Sequence, residues 1–432
     1  MIDRIPNTEH RVGPGSAWIR GMASLFIAGT LVFFPINSPA LAVEATSSSF
    51  HATDQIEFGN MANPHLTEGT DTLEVGFMAH PHSGIEALWF CFRIQKIRET
   101  PVEKIRLVLK NLDTVLGGAR PDRMCPVQRI SGGAWERLPP GKEWIQPDGR
   151  RYAIWDLAAP DDFVDIAACY PYGMAEVKQL VADCEGYYRL DEIGISQEGR
   201  PIVRLSNHPG EPEGKRPGVY LISRQHSGET PGSWVLDGIL RHFAQKGEEA
   251  PLIWCVPLAN IDGVENGDYG KDPFPHDLNR AWGRPPMRHE VIVMQKDAKL
   301  WKNRCDPRIF LDLHAPGYSE DAGFYAFGSP KEKLTPEQID LQKRYSDAFE
   351  ETLKTKITDP FLRLAEYPRR WDPKDGSPVF AADYFLREIG GMALSVECTY
   401  AFGGETLYSV QEYREVGAKM AQVILDLNRQ AK

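Results

Sequence analysis

The tightest constraint on how this chain folds is a strand signal that runs, through a short turn, straight into a helix signal. Gly218-Val219-Tyr220-Leu221-Ile222-Ser223 is short, apolar and bounded by turn residues, as a buried strand is. From Trp234 to Phe243 apolar residues recur at helical spacing, and Pro231 stands where a first helical turn tolerates a missing N–H. Further strand-like segments lie at Leu252–Pro257, Ile309–Leu313 and Met392–Thr399, and helix starts at Met287, Pro336 and Val410. This alternation, from about residue 170 onward, predicts an α/β sheet covered by helices.

The residues before it read differently. Between residues 43 and 166, strand-like runs such as Ala87–Ile94, Ile105–Leu109 and Arg151–Trp155 are punctuated by Gly132-Gly133, Pro139-Pro140-Gly141 and Asp148-Gly149. Short strands with such turns predict an antiparallel β-sandwich. At the start, Arg4, Arg11 and Arg20 precede an apolar run from Met22 to Ile36, and Ala40-Leu41-Ala42 follows with cleavage-site character. The pattern predicts a signal peptide over residues 1–42, a secreted or periplasmic mature chain, and no membrane contact after signal removal. The expected division is therefore 1–42, 43–166 and 167–432.

A formal net charge of −11 argues against nonspecific binding to nucleic acid or anionic lipid. The seven cysteines show no zinc-finger spacing. An odd number leaves at least one thiol unpaired within the chain, and Cys169 with Cys184 is a possible bridge. Cys255 and Cys398, in apolar strand-like runs, read as buried thiols.

Chemistry enters at the turn between strand and helix, where His226 and Glu229 stand three residues apart. Alone, such a pair is more often a solvated loop. Here the turn lets both side chains converge on one point, and His314 waits at the end of another strand-like run. Two imidazoles and one carboxylate are the donor set of a catalytic zinc with one position left open, where water becomes a nucleophile. Asp277-Leu278-Asn279-Arg280 offers a planar guanidinium fork that matches a free carboxylate, with a neutral donor beside it. Glu397 lies in the apolar run from Gly390 to Tyr400, where a carboxylate is costly to bury without a partner. A general base near a metal fits that place, since low dielectric raises its pKa toward the working range.

Taken in order, His226-Ser227-Gly228-Glu229-Thr230-Pro231-Gly232-Ser233-Trp234, Asn260-Ile261-Asp262-Gly263-Val264, Asp277-Leu278-Asn279-Arg280, Leu313-His314 and Ser395-Val396-Glu397 resemble the zinc carboxypeptidase superfamily. The likeness is strongest to its cytosolic-carboxypeptidase branch and that branch's bacterial relatives. It implies a catalytic domain with a mixed central sheet covered by helices, preceded by a β-sandwich. It implies one Zn2+ per chain on His226, Glu229 and His314, with Asp277 fixing the tautomer of His226. Asn279 and Arg280 would hold the terminal carboxylate of a peptide substrate. Glu397 would take a proton from the attacking water and hand it to the leaving amine.

One position departs from the pattern. The branch places an oxyanion-stabilising arginine about seven residues before the Asp of its Asp-x-Asn-Arg motif. Here that place is Gly270, followed by Lys271, which is the expected substitute as a point charge, with Arg284 as an alternative. The substrate-closing tyrosine has only Tyr384 and Tyr367 as candidates, by proximity. Two other functions share the motifs: deacylation of N-acyl amino acids, as in the aspartoacylase group, and a catalytically silent peptide-binding module.

Overall fold

A computed structural model describes residues 42–430 except 83, 272–275, 354–362 and 367–379, and gives only backbone for 363–366 and for Gln430. The signal-peptide reading and Tyr367 fall outside the described residues. From Ala42 onward the chain packs as one compact unit.

The α/β region is built on a nine-stranded sheet. Its order is Arg189–Ile195, Pro201–Ser206, Leu252–Val256, Pro217–Ser223, Asp306–His314, Met392–Gly403, Ala322–Gly328 and Arg363–Glu366, with Thr406–Leu407 paired on Met392–Gly403. The central strands run parallel: Pro217–Ser223 pairs with Leu252–Val256 and with Asp306–His314, which in turn pairs with Met392–Gly403. Antiparallel pairs flank them, at Pro201–Ser206 with Leu252–Val256 and at Ala322–Gly328 with Met392–Gly403. The sheet is therefore mixed. Strands buried on both faces need continuous apolar runs, and every residue from Gly218 to Ser223 is buried.

Helices cover the sheet at Met174–Asp183, Thr230–Lys246, His289–Lys302, Pro336–Leu353 and Val410–Gln430. Four of these start within two residues of the expected positions. Met174–Asp183 had no strong periodic signal. It is fixed at its start by Glu176, whose carboxylate accepts from Gly173 N–H at 2.7 Å.

The N-terminal region holds two sheets. One is six-stranded and antiparallel throughout. The other is five-stranded, and in it Thr72–Met78 runs parallel to Lys104–Leu109. The antiparallel expectation is corrected for that second sheet. Alternating apolar residues fix which face of a strand is buried but leave its direction open, and here the chain from Met78 to Lys104 crosses into the first sheet before it returns. Ala87–Phe90, read as the start of a strand, is mostly irregular, and the strand begins at Cys91. Buried residues of both sheets and of the α/β region form one continuous core.

Candidate metal centre

Register brings the site together. On the parallel strands Asp306–His314 and Met392–Gly403, His314 pairs with Glu397, so both side chains emerge on one face, side by side. The neighbouring strand ends at Ser223, opposite Leu313. Arg224 leaves it with φ of +61°, a left-handed turn that swings the His226–Glu229 loop back over the strand ends. That strained residue is latched by its own side chain: Nε donates to Ser227 O at 2.6 Å, and Nη1 donates to Tyr172 O at 2.5 Å. The Thr230–Lys246 helix then starts against the strand carrying His314. Gly232 permits this, because a Cβ there would stand 2.8 Å from Leu313 O.

The result is convergence. Nδ1 of His226 lies 2.9 Å from Glu229 Oε1, and Nδ1 of His314 lies 2.8 Å from Glu229 Oε2. The three residues are buried, and their donor atoms lie within 4.8 Å of one another. Ala315 N–H also donates to Glu229 Oε2 at 3.1 Å. The outer ring nitrogens are held by carboxylates: His226 Nε2 stands 3.3 Å from Asp277 Oδ1, and His314 Nε2 stands 2.9 Å from Asp312 Oδ2. Each imidazole therefore turns Nδ1 inward onto Glu229 and Nε2 outward onto a second carboxylate, the arrangement by which outer carboxylates orient metal-binding histidines. Two neutral imidazole nitrogens and one carboxylate, turned inward from a buried shell, fit a divalent zinc.

Electrostatics point the same way. Burial alone would suppress charge on the histidines, but Glu229 and Asp277 raise the pKa of His226, and Asp312 and Glu229 raise that of His314. Burial pulls the Glu229 carboxyl upward, and His226 and His314 outweigh it, holding it well below the usual range. The cluster attracts positive charge. Asp277 is likewise held low against burial, by His226 and by Arg280.

Glu397 behaves in the opposite sense. Burial, with Glu229 nearby, pushes its carboxyl up to about 7. Its Oε2 is sealed from solvent and has no hydrogen-bond partner among the described residues. A sealed, unpartnered carboxylate oxygen beside a cation-attracting cluster is the second mark of a site built to hold something.

The remaining expected residues are close by. Asn279 is buried; its Oδ1 accepts from Ala381 N–H at 3.1 Å, and its Nδ2 lies 3.1 Å from His314 Nε2. Arg280 Nη1 donates to the carbonyl of Asn279 at 3.2 Å, and its guanidinium lies 4.6 Å from the centre of the Phe380 ring. Lys271 Nζ is 3.9 Å from Glu229 Oε1. Arg284 pairs with Glu388 instead. Tyr384 packs on Trp282, ring centres 5.5 Å apart, and its hydroxyl has no hydrogen-bond partner among the described residues.

Gly270 has a physical reason to be glycine. Its φ is +95°, and a Cβ there would stand 2.3 Å from Ser227 N. The backbone at 270 is pressed against the His226–Glu229 loop, so no side chain can leave from it, and Lys271 is the next position that can offer a cation.

Three residues escaped the sequence reading. Asp312 holds His314; Gln225 Nε2 donates to Asp312 Oδ2 at 2.6 Å; Trp282 Nε1 donates to Gln225 Oε1 at 2.7 Å. Asp312 could have been found: it stands two residues before His314 on the same face of one strand, in an otherwise apolar run. Gln225 and Trp282 carried no local signal.

Residues 174–360 match the zinc carboxypeptidase family model. The match takes in His226, Glu229 and His314 and stops short of Glu397. Among curated relatives, cytosolic carboxypeptidase 6 of Mus musculus is 28% identical over 254 residues, covering 53% of this chain and 46% of the relative. Cytosolic carboxypeptidase 2 of Danio rerio is 26% identical, covering 57% and 38%. The chain thus spans about half, or less, of the relatives it matches. Among solved structures, a metallo-carboxypeptidase from Burkholderia cenocepacia superposes with TM-score 0.70 at 18% identity, over 89% of this chain and 99% of that one. One from Pseudomonas aeruginosa, in complex with (2-guanidinoethylmercapto)succinic acid, gives 0.70 at 20%, over 88% and 100%. At such identities these structures support the fold, and they cover the N-terminal sheets as well. The resemblance read from the ordered motifs holds, and the relatives found are carboxypeptidases rather than N-acyl amino acid deacylases.

One expectation is overturned. The signal peptide over residues 1–42, and with it a secreted or periplasmic location, conflicts with curated relatives that are cytosolic carboxypeptidases. The inference rested on a basic leader, an apolar run and the small residues Ala40-Leu41-Ala42, a composition that does not by itself show that the segment is recognised and cleaved. The possible Cys169–Cys184 bridge is absent, since all seven cysteines are free. No helix among the described residues is long and apolar enough to cross a membrane.

Proposed function

From a chain that carries a zinc carboxypeptidase domain, we propose a zinc-dependent metallocarboxypeptidase that hydrolyses the C-terminal peptide bond of a peptide substrate. His226, Glu229 and His314 hold the metal. The observation that carries this reading is the inward turn of both Nδ1 atoms onto Glu229, with the unpartnered Oε2 of Glu397 alongside. Zinc in that place supplies a Lewis acid that polarises a carbonyl and acidifies a water.

The chain's own groups do the rest. Asp277 and Asp312 fix the two imidazoles, so the ligand atoms are oriented before any ion arrives. Glu397 is the general base: a carboxyl raised to about 7 can accept a proton from water on Oε2 and release it to the departing amine. Arg280, with Asn279, clamps the free terminal carboxylate and so selects the last residue of the chain. Lys271 faces the reacting carbonyl as a point charge. Residues 167–432 form the catalytic domain on this reading, and 43–166 the β-domain before it.

The direct test is metal analysis of the purified chain combined with digestion of a peptide library. One zinc per chain and stepwise release of C-terminal residues are expected. A chain that takes up zinc but releases only acyl groups from N-acyl amino acids would replace this reading with the deacylase one. A chain that takes up zinc and cleaves neither would be a silent binding module.

A further inference from the structure

Among the described residues, the segment Gly84–Glu86 of the N-terminal β-region reaches into the site. Ile85 N–H donates to Lys271 O at 3.5 Å, and Glu86 Oε2 stands 3.4 Å from Lys271 Nζ. The same ammonium lies 3.9 Å from Glu229 Oε1 and 5.7 Å from the centre of the Tyr269 ring. Two carboxylates from different parts of the chain thus compete for one cation. They are unequal competitors. The Glu229 side chain is 2% exposed and that of Glu86 is 32% exposed, so at equal distance the buried one attracts more strongly. Yet the ammonium sits nearer Glu86. Glu86 Oε2 makes no hydrogen bond among the described residues, so nothing in them but the lysine holds it there.

We propose that Glu86 is a positioning residue that draws the Lys271 ammonium off the metal ligand Glu229 and holds it at the edge of the site. The N-terminal region thereby keeps a metal-binding carboxylate free and sets where a cation faces the substrate. This rests on the zinc carboxypeptidase reading of His226, Glu229 and His314. Without Glu86, the lysine closes onto Glu229 and competes with the metal for it. With both gone, the competition ends.

The test is a double-mutant cycle on the full chain: Glu86→Gln, Lys271→Met and the pair. Zinc affinity is measured by competition with a chelator, and kcat and KM on a short peptide in parallel. Glu86→Gln is expected to weaken zinc binding about tenfold, the size typical of losing a partner just outside the ligand shell. Lys271→Met is expected to bind zinc at least as tightly as the parent, and adding Glu86→Gln to it is expected to change nothing. An equal zinc loss from Glu86→Gln with and without Lys271, or no loss in either, overturns the proposal. If the parent binds zinc but cleaves no peptide, the carboxypeptidase reading fails while the zinc cycle still decides the role of Glu86. A parent that binds no zinc overturns both.

Discussion

Replacing Asp312 by asparagine separates the metal site from the fold that carries it. Asp312 is fully buried, and one oxygen, Oδ2, serves both Gln225 at 2.6 Å and His314 at 2.9 Å. Its other oxygen, Oδ1, has no hydrogen-bond partner among the described residues. Asparagine has almost the same volume, so no cavity forms. It can put its oxygen in the place of Oδ2 and keep both hydrogen bonds, but the negative charge that makes His314 a strong ligand is gone. Losing such an outer-shell carboxylate costs about 10- to 100-fold in metal affinity, or about 1.4–2.7 kcal/mol. Folding stability should move little, because the cost of the amide group left facing no partner is offset by no longer burying a charge. The assay pairs zinc affinity by chelator competition with a thermal melt of the metal-free protein. Weaker zinc with an unchanged melt is expected. Unchanged zinc affinity, or a parallel collapse of both, would refute the idea that Asp312 acts through His314.

Glu397→Gln should leave zinc content intact and lower turnover by roughly a thousandfold; full activity would move the base elsewhere. Difference infrared spectra of the metal-free protein should show a carboxylic acid that ionises near pH 7 and vanishes in the same variant. Arg280→Ala should hurt peptides with a free C-terminus far more than amidated ones, and equal losses would remove the carboxylate clamp. Away from the site, desolvation pushes the Glu68 carboxyl up, and hydrogen bonds from Ser48, Ser49 and Ser47 together outweigh it and bring it from 4.5 down to about 2. A lowered carboxyl pKa stabilises the fold above the ordinary value, and that contribution fades as pH falls from 4.5 through 2. After discounting for solvent screening it amounts to about 1 kcal/mol. Urea unfolding of Glu68→Gln against the parent should show that gap at pH 7 and lose most of it near pH 2.5; a gap that persists there would deny the linkage.

The parts of the molecule legible in the sequence are those whose signal is local. The central parallel strands are buried on both faces and therefore read as apolar runs. The Thr230–Lys246 helix advertised its start through Pro231. The edge strand Arg189–Ile195 was missed because a half-exposed edge mixes polar and apolar residues freely, and Pro201–Ser206 beside it was missed because Arg204 interrupts its short apolar run. The parallel pair in the second N-terminal sheet was missed because strand direction leaves no trace in composition. At the site, the convergence of His226 and Glu229 was legible because their spacing falls within one short turn. Its supports were not: Trp282, Gln225 and Asp312 meet only once three separate strands and loops have been brought to one end of the sheet.

The tight seam at Gly270 has a consequence for anyone redesigning this site. Grafting the missing arginine back at its usual address is not a repair. The first carbon of any such graft would collide with the loop that presents His226, and His226 would be displaced before any donor was gained. Stronger stabilisation of the transition state must be engineered from residue 271 outward, with the acidic neighbour at 86 retuned to match.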